Sequence, residues 1–185
     1  MKDLRPIILV IMLPLVMLPP APAQKKIINI KTKGVSAADL TKEQCLQIIR
    51  GIHIGKDLSG AKLDEADISG ANLSFANLSE ASLKKSILKN ARLNQANLTK
   101  ANLEKAILYQ ADLNGAKLVN ANLKNANLTK ANLQNASMVG ADLSQAALID
   151  ADLSGANLTG AIMEGAKTNG AVFSGTILPD GQIHP

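Results

Sequence analysis

From residue 63 to residue 173 the chain keeps a five-residue register without one slip. Of the 23 positions 63, 68, 73 and onward, 18 are Leu, and the others are Ile68, Met138, Met163, Thr168 and Phe173. Two residues before each of them stands Ala, replaced once by Ser86. A period of five excludes both regular elements. On an α-helix each step of five turns the chain by about 500°, so the leucines would wind around every side and leave no apolar face. On a strand an odd period sends successive leucines to opposite faces. The pattern is satisfied if the chain turns a corner every five residues, so that each Leu points to one shared axis. Four corners then close a square coil of 20 residues, stacked on the next at the ~4.8 Å strand spacing. Ala precedes Leu because the inside of such a square is narrow, and overpacking costs ~1–3 kcal/mol.

The composition suits that interior. Aromatic residues are 2% of the 185, with no Trp, while the hydrophobic share is 46%. Such a chain must pack small units closely, because it lacks the large rings on which ordinary cores rely. Cys45 is the one cysteine, which rules out an internal disulfide; His53 and His184 are the two histidines. There is no paired His and carboxylate, no Gly-rich phosphate loop and no metal-ligand spacing, so no enzyme activity, metal or cofactor is expected. His53, between Ile52 and Ile54, reads as structural, and Cys45 as a small buried hydrophobe; pairing of Cys45 between chains is the alternative.

The units ANLSF (71–75), ADLNG (111–115), ANLTK (126–130) and ADLSG (151–155) resemble the A(N/D)LXX pattern of the pentapeptide-repeat family, over residues 56–178. The resemblance implies an all-β solenoid, a right-handed quadrilateral β-helix of about six coils. The departures are Ser86, Thr168, and Ile87, Ile107, Ile162 and Val172 where Asn or Asp is usual. Ser86 is small enough to fit, whereas Thr168 is expected to loosen the last coil. Exported members of the family occur in the periplasm and the thylakoid lumen; other members imitate duplex DNA and bind gyrase.

The flanks are different in kind. Residues 1–23 combine Lys2 and Arg5, an apolar run from Ile7 to Leu18 and the small residues Ala21-Pro22-Ala23. This is the layout of a secretory signal peptide, and the run is shorter than the ~20 residues that span a bilayer. The mature chain is expected to start near Gln24, exported to the periplasm or to a thylakoid lumen; an uncleaved signal would be its one route to a membrane. Residues 24–55 read as an arm and cap. TKEQ (41–44) is a capping box that predicts a helix over 42–50, lying on the first coil. IINIK (27–31) reads as a strand or extended arm. At the far end, 179–185 is a tail with a Pro-Asp-Gly turn, expected to fold Leu178 and Ile183 over the last coil.

Function must then be sought on the outward positions. The 20-residue stack predicts columns of alternating charge, Asp64–Lys84–Glu104–Lys124, with Glu80 against Lys100 and Arg92 against Asp112; Lys85 and Lys105 would be like-charged neighbours. Residues 81–140 hold nine basic groups against Glu104 and Asp112, which makes Lys84, Lys85, Lys89, Lys105 and Lys124 a candidate basic patch. Ile87, Ile107, Tyr109, Ala147 and Ile149 form a candidate interaction stripe for a protein partner or a second copy. The expected function is an exported, non-enzymatic structural or protein-binding scaffold. The alternatives are a gyrase-binding DNA mimic, opposed by the positive middle and the signal peptide, and a basic rod that binds anionic surfaces. A mimic must carry negative charge in place of phosphates, and nucleic acid is not an expected ligand.

Overall fold

The structure, a computed structural model, describes residues 36–50 and 55–185. The leader, the IINIK segment and His53 lie outside the described residues. From Asp57↔Asn77 to Asn157↔Ile177, parallel bridges join residues 20 apart, five residues at a time. Each coil therefore takes 20 residues and has four sides, as the period of five demands.

The corner is a hydrogen-bonded four-residue turn. The Ala61 amide donates to the Leu58 carbonyl at 3.1 Å, and the Ala106 amide to the Leu103 carbonyl at 3.0 Å. The third residue of each turn has positive φ, between +54° and +72° from position 55 to position 175, as type II turns require. Fifteen of those residues are not glycine, and each carries left-handed strain of about 1–2 kcal/mol. Stacking outweighs it. In mid-rod the amides of Leu103 and Lys105 donate to the Asn122 and Lys124 carbonyls above (2.7 and 2.9 Å), while the Asn102 amide donates to the Ala81 carbonyl below (2.9 Å).

The Asn or Asp one place before each central Leu has a specific task. Its Oδ1 accepts the backbone amide two residues on, as in Asn102 to Glu104 (3.1 Å), Asn132 to Gln134 (3.1 Å) and Asp152 to Ser154 (2.9 Å). This Asx turn holds the chain in the corner. Many of these side chains also bond between coils: Asn122 Nδ2 donates to Asn102 Oδ1 at 3.2 Å, and Asn132 Nδ2 to Asp112 Oδ1 at 3.0 Å. Inside, the Leu and Ala positions from Leu73 to Leu158 form one continuous buried cluster. Ser86 fits, with its Oγ donating to the Leu83 carbonyl at 2.6 Å.

Helix α1, Lys42–Arg50, forms where the capping box places it: the Gln44 amide donates to Thr41 Oγ1 (3.2 Å) and the Thr41 amide to Gln44 Oε1 (2.8 Å). Its Cys45, Leu46 and Ile49 are buried and join the same cluster as the coil leucines. Two lysines fasten it. Lys42 Nζ donates to the Asp64 carbonyl, and the buried Lys56 Nζ to the Ile49 carbonyl at the helix C-terminus, both at 2.5 Å, where the helix dipole favours a cation. Cys45 Sγ lies 3.8 Å from the Ala37 carbonyl, and burial raises its pKa. Pairing of Cys45 between chains would require α1 to lift off.

The tail departs from expectation. The turn forms, with the Gly181 amide donating to the Leu178 carbonyl at 2.9 Å. Ile183, however, does not cover the core. Residues 182–184 run back antiparallel along 175–178, Ile183 bridges Ile177, and its side chain stays 70% exposed. The His184 ring packs near Phe173 instead, centroids 5.9 Å apart. The strand satisfies an edge rather than an apolar surface.

Because neighbouring coils share one core, Leu103→Ala should cost about 2–5 kcal/mol, and Leu103→Lys should abolish the cooperative melt followed by circular dichroism; an unchanged melting curve would refute the shared-core architecture. A second expectation concerns acid. Burial pushes the Asp142 and Asp152 carboxyls up. Hydrogen bonds from the Ser144 and Ser154 hydroxyls and amides, with Lys124 or Gln134 added, outweigh it, and both pKa values fall below the ordinary Asp range. The folded chain then binds fewer protons than the unfolded one, so this stabilisation is present above the unfolded value of about 3.9 and is lost as pH falls through the folded values. The melting temperature should drop on acidification below about pH 4, and Asp152→Asn, which keeps the acceptor, should flatten that drop.

Candidate functional site

Twenty-residue stacking sorts the outward residues into four faces. Three are polar over most of their length, with Val119 and Val139 stacked on one of them and Ile162, Val172 and Ile177 in the terminal turn. The face centred on Ile68, Leu88, Leu108, Leu128 and Leu148 carries the candidate stripe. Position by position before those centres stand Asp67, Ile87, Ile107, Asn127 and Ala147; just after them stand Ser69, Lys89, Tyr109, Thr129 and Ile149. Ile87 bridges Ile107 directly, and Ile107 is 38% exposed. Tyr109 lies beside them with Lys89 Nζ 5.7 Å from its ring centroid, a cation–π distance. The stripe is not continuous. Asn127 and Thr129 separate Ile87, Ile107 and Tyr109 from Ala147 and Ile149, so the structure brings the first three together and leaves Ile149 one coil further away.

At Ile87, Ile107 and Ala147 the Asx acceptor is missing. Among the described residues, the amides of Lys89, Tyr109 and Ile149 make no bond of the kind that Asn102 or Asp152 provides. This signal was present in the sequence as Ile in place of Asn or Asp, but its physical meaning depends on the turn.

The candidate basic patch is largely spent on internal pairs. Lys84 meets Glu104 at 2.9 Å, Lys85 meets Glu65 at 3.0 Å, Lys105 meets Glu104 at 3.9 Å and Lys124 meets Asp142 at 3.1 Å. The like-charged Lys85 and Lys105 thus turn to different carboxylates. The hydrogen bond from Lys84 is the main reason the Glu104 pKa is lowered, and the charges of Lys105 and Lys124 add to it. Glu80 and Lys100 are 3.9 Å apart. Two expected charge contacts differ. Lys124 selects Asp142 rather than Glu104, and Arg92 bridges Asp112 through the backbone without a side-chain ion pair. Asp112 Oδ1 is already occupied by the Asn114 amide and Asn132 Nδ2. These exposed pairs contribute little to stability, about 0–1 kcal/mol each. Among the described residues no three His, Cys, Asp or Glu side chains are grouped to hold a metal ion.

The repeat matches a known family. The family model described as pentapeptide repeats matches in eight copies, over residues 51–74 and, in overlapping stretches, 76–175. HetL, a pentapeptide repeat protein involved in heterocyst differentiation regulation from the cyanobacterium Nostoc sp. strain PCC 7120, is 34% identical; the match covers 69% of this chain and 76% of HetL, with a TM-score of 0.42. A pentapeptide repeat protein from the Arabidopsis thaliana thylakoid lumen is 23% identical over 79% of this chain and 75% of its own, TM-score 0.27. QnrB1, a plasmid-mediated fluoroquinolone resistance protein, is 15% identical over 68% and 71%, TM-score 0.37. No curated protein matches the chain. With the five-residue register, the 20-residue coil and the family match all covering the same residues, the chain belongs to the pentapeptide-repeat family, whose members fold as right-handed quadrilateral β-helices.

Proposed function

We propose that this chain is an exported, non-enzymatic binding rod of about six coils, capped by α1, which presents the face of Ile87, Ile107 and Tyr109 to a protein partner. One observation carries the reading. At positions 87 and 107 the chain gives up the Asn or Asp that would lock its own corner, and puts isoleucine on an outward face. Each lost hydrogen bond forfeits about 0.5–1.5 kcal/mol, so the fold itself gains nothing there. An apolar pair on a flat face beside a tyrosine has the composition of an interface centre.

Export rests on the leader-like residues 1–23. The basic-rod reading is weaker, because four of the five lysines in its patch contact carboxylates. A DNA mimic would need negative charge where residues 81–140 are net positive.

Ile107→Lys should leave the melting temperature within about a degree of the parent's, as for other exposed substitutions, and should abolish co-purification of the partner captured from the native compartment. Complexes of unchanged size on chromatography would reject the face as the contact. A full-length chain recovered in the cytoplasm, instead of a chain beginning near Gln24, would reject export.

A further inference from the structure

The face that carries the stripe has a charge pattern of its own. Over three successive coils, residues 85–90, 105–110 and 125–130, this face and its two corners hold four lysines and no aspartate or glutamate. The lysines surround the apolar group. Lys85 and Lys105 stack at the corner before Ile87 and Ile107. Lys130 stands at the opposite corner, one coil above Gln110, and Lys89 reaches across to the Tyr109 ring. All four are exposed.

The neighbouring carboxylates lie outside this border and are turned to other tasks. Asp67, beneath Ile87, accepts the Ser69 amide and hydroxyl at 3.0 and 2.6 Å. Glu65 meets Lys85 at 3.0 Å. Glu104, on the adjoining face, is held by Lys84 at 2.9 Å and lies 3.9 Å from Lys105. Asp150, one coil above Lys130, leans away over Gly170. Lys89 and Lys130 meet no carboxylate among the described residues.

The backbone adds two donors. With isoleucine at 87 and 107 the Asx acceptor is missing, and among the described residues the Lys89 and Tyr109 amides have no hydrogen-bond partner. The chain itself shows what such an amide can take. Where Ser82 stands in place of Asn, the Lys84 amide donates to Asp64 Oδ1 at 2.9 Å, a carboxylate from outside its own turn.

We infer that the stripe face receives an acidic segment of a protein partner, which sets apolar side chains on Ile87, Ile107 and Tyr109 and carboxylates against the surrounding lysines. This rests on the reading of the stripe as a contact and adds the chemistry of what it contacts. Two other occupants fit worse. A second copy meeting this face about a two-fold axis would present the same patch. Lysines would then face lysines, and like charges brought together oppose association. An anionic membrane would satisfy the lysines, but a peripheral element buries its apolar side chains about 5–10 Å into the headgroup boundary. Ile107 is 38% exposed, and Ile87 and Tyr109 are half-buried. The apolar group therefore lies flush with a flat face and has nothing to insert.

The experiment is calorimetric titration of the purified chain with three probes. They are a peptide in which Glu and Leu alternate, a Lys–Leu peptide of equal length, and vesicles of phosphatidylcholine with phosphatidylglycerol. The Glu–Leu peptide should bind, more weakly as added salt screens the charges, and the other two should not. Lys89→Glu/Lys130→Glu should weaken that binding at least about tenfold. Lys100→Glu/Lys117→Glu makes the same charge change around the opposite face and should leave the affinity within about twofold. The inference is overturned if the Glu–Leu peptide does not bind, if the Lys–Leu peptide binds equally, if vesicles bind in its place, or if the two double variants lose equally. A dimer in light scattering that Ile107→Lys dissociates overturns it as well. The stripe itself is judged separately. A native partner that Ile107→Lys releases and Lys89→Glu/Lys130→Glu retains would leave the stripe a contact and refute the acidic segment.

Discussion

The interior of the square coil is the constraint from which the rest follows. A leucine and an alanine from each of four sides fill it, and no coil can hold a core by itself. Every apolar centre depends on the coil above and the coil below, so burial is complete from Leu73 to Leu158 and fails at Met163, Thr168 and Phe173. This mutual dependence lets the chain tolerate fifteen strained non-glycine corners. Backbone bonds of 2.6–3.1 Å between coils repeat at every step, and the strain is distributed where stacking is strongest. Glycine takes over at the corners of the final coils, where there is less stacking to hold a strained residue.

How much could be read in the sequence depended on whether a feature repeats. The corner, the four sides, the 20-residue coil and the fit of Ser86 all follow from the register. So does α1, because the reciprocal bonds of Thr41 and Gln44 involve four neighbouring residues. Side-chain partners were harder. Carboxylates in neighbouring coils compete for a long lysine, amide donors compete with basic side chains for the same carboxylate, and column position alone does not decide among them. Lys124 passes over Glu104 because Lys84 already holds it at 2.9 Å, and Arg92 finds Asp112 occupied by amides. The tail was misjudged for a related reason. Ile183 is apolar, but residues 182–184 gain more from the unpaired edge at 175–178 than from the core, and pairing that edge turns the isoleucine outward.

The least legible element was the reason for Asn and Asp before each centre. As a pattern the residue is a family mark. As a bond it is the acceptor that fixes the corner, and this makes its absence informative. Lysine or arginine at that place, as at Lys117 or Arg92, is an ordinary solvated substitution. Isoleucine, valine or alanine surrenders the bond and exposes apolar surface at once. Such residues would be scattered if they were merely tolerated. They fall instead in two places: Ile87 and Ile107, stacked on one face with Ala147 beyond Asn127, and Ile162, Val172 and Ile177, all in the terminal turn.

In a repeat fold most positions are dictated by the coil, so a departure has to be explained by something outside the coil. The two groups differ in what surrounds them. The side face keeps its inter-coil ladders and lacks only the Asx bonds to the Lys89, Tyr109 and Ile149 amides, so the coil stays intact there. The terminal turn instead leaves apolar side chains, amides without inter-coil partners among the described residues and an open core together. A departure on the side face therefore costs the coil one corner bond, whereas a departure at the terminal turn adds to surface that no further coil covers.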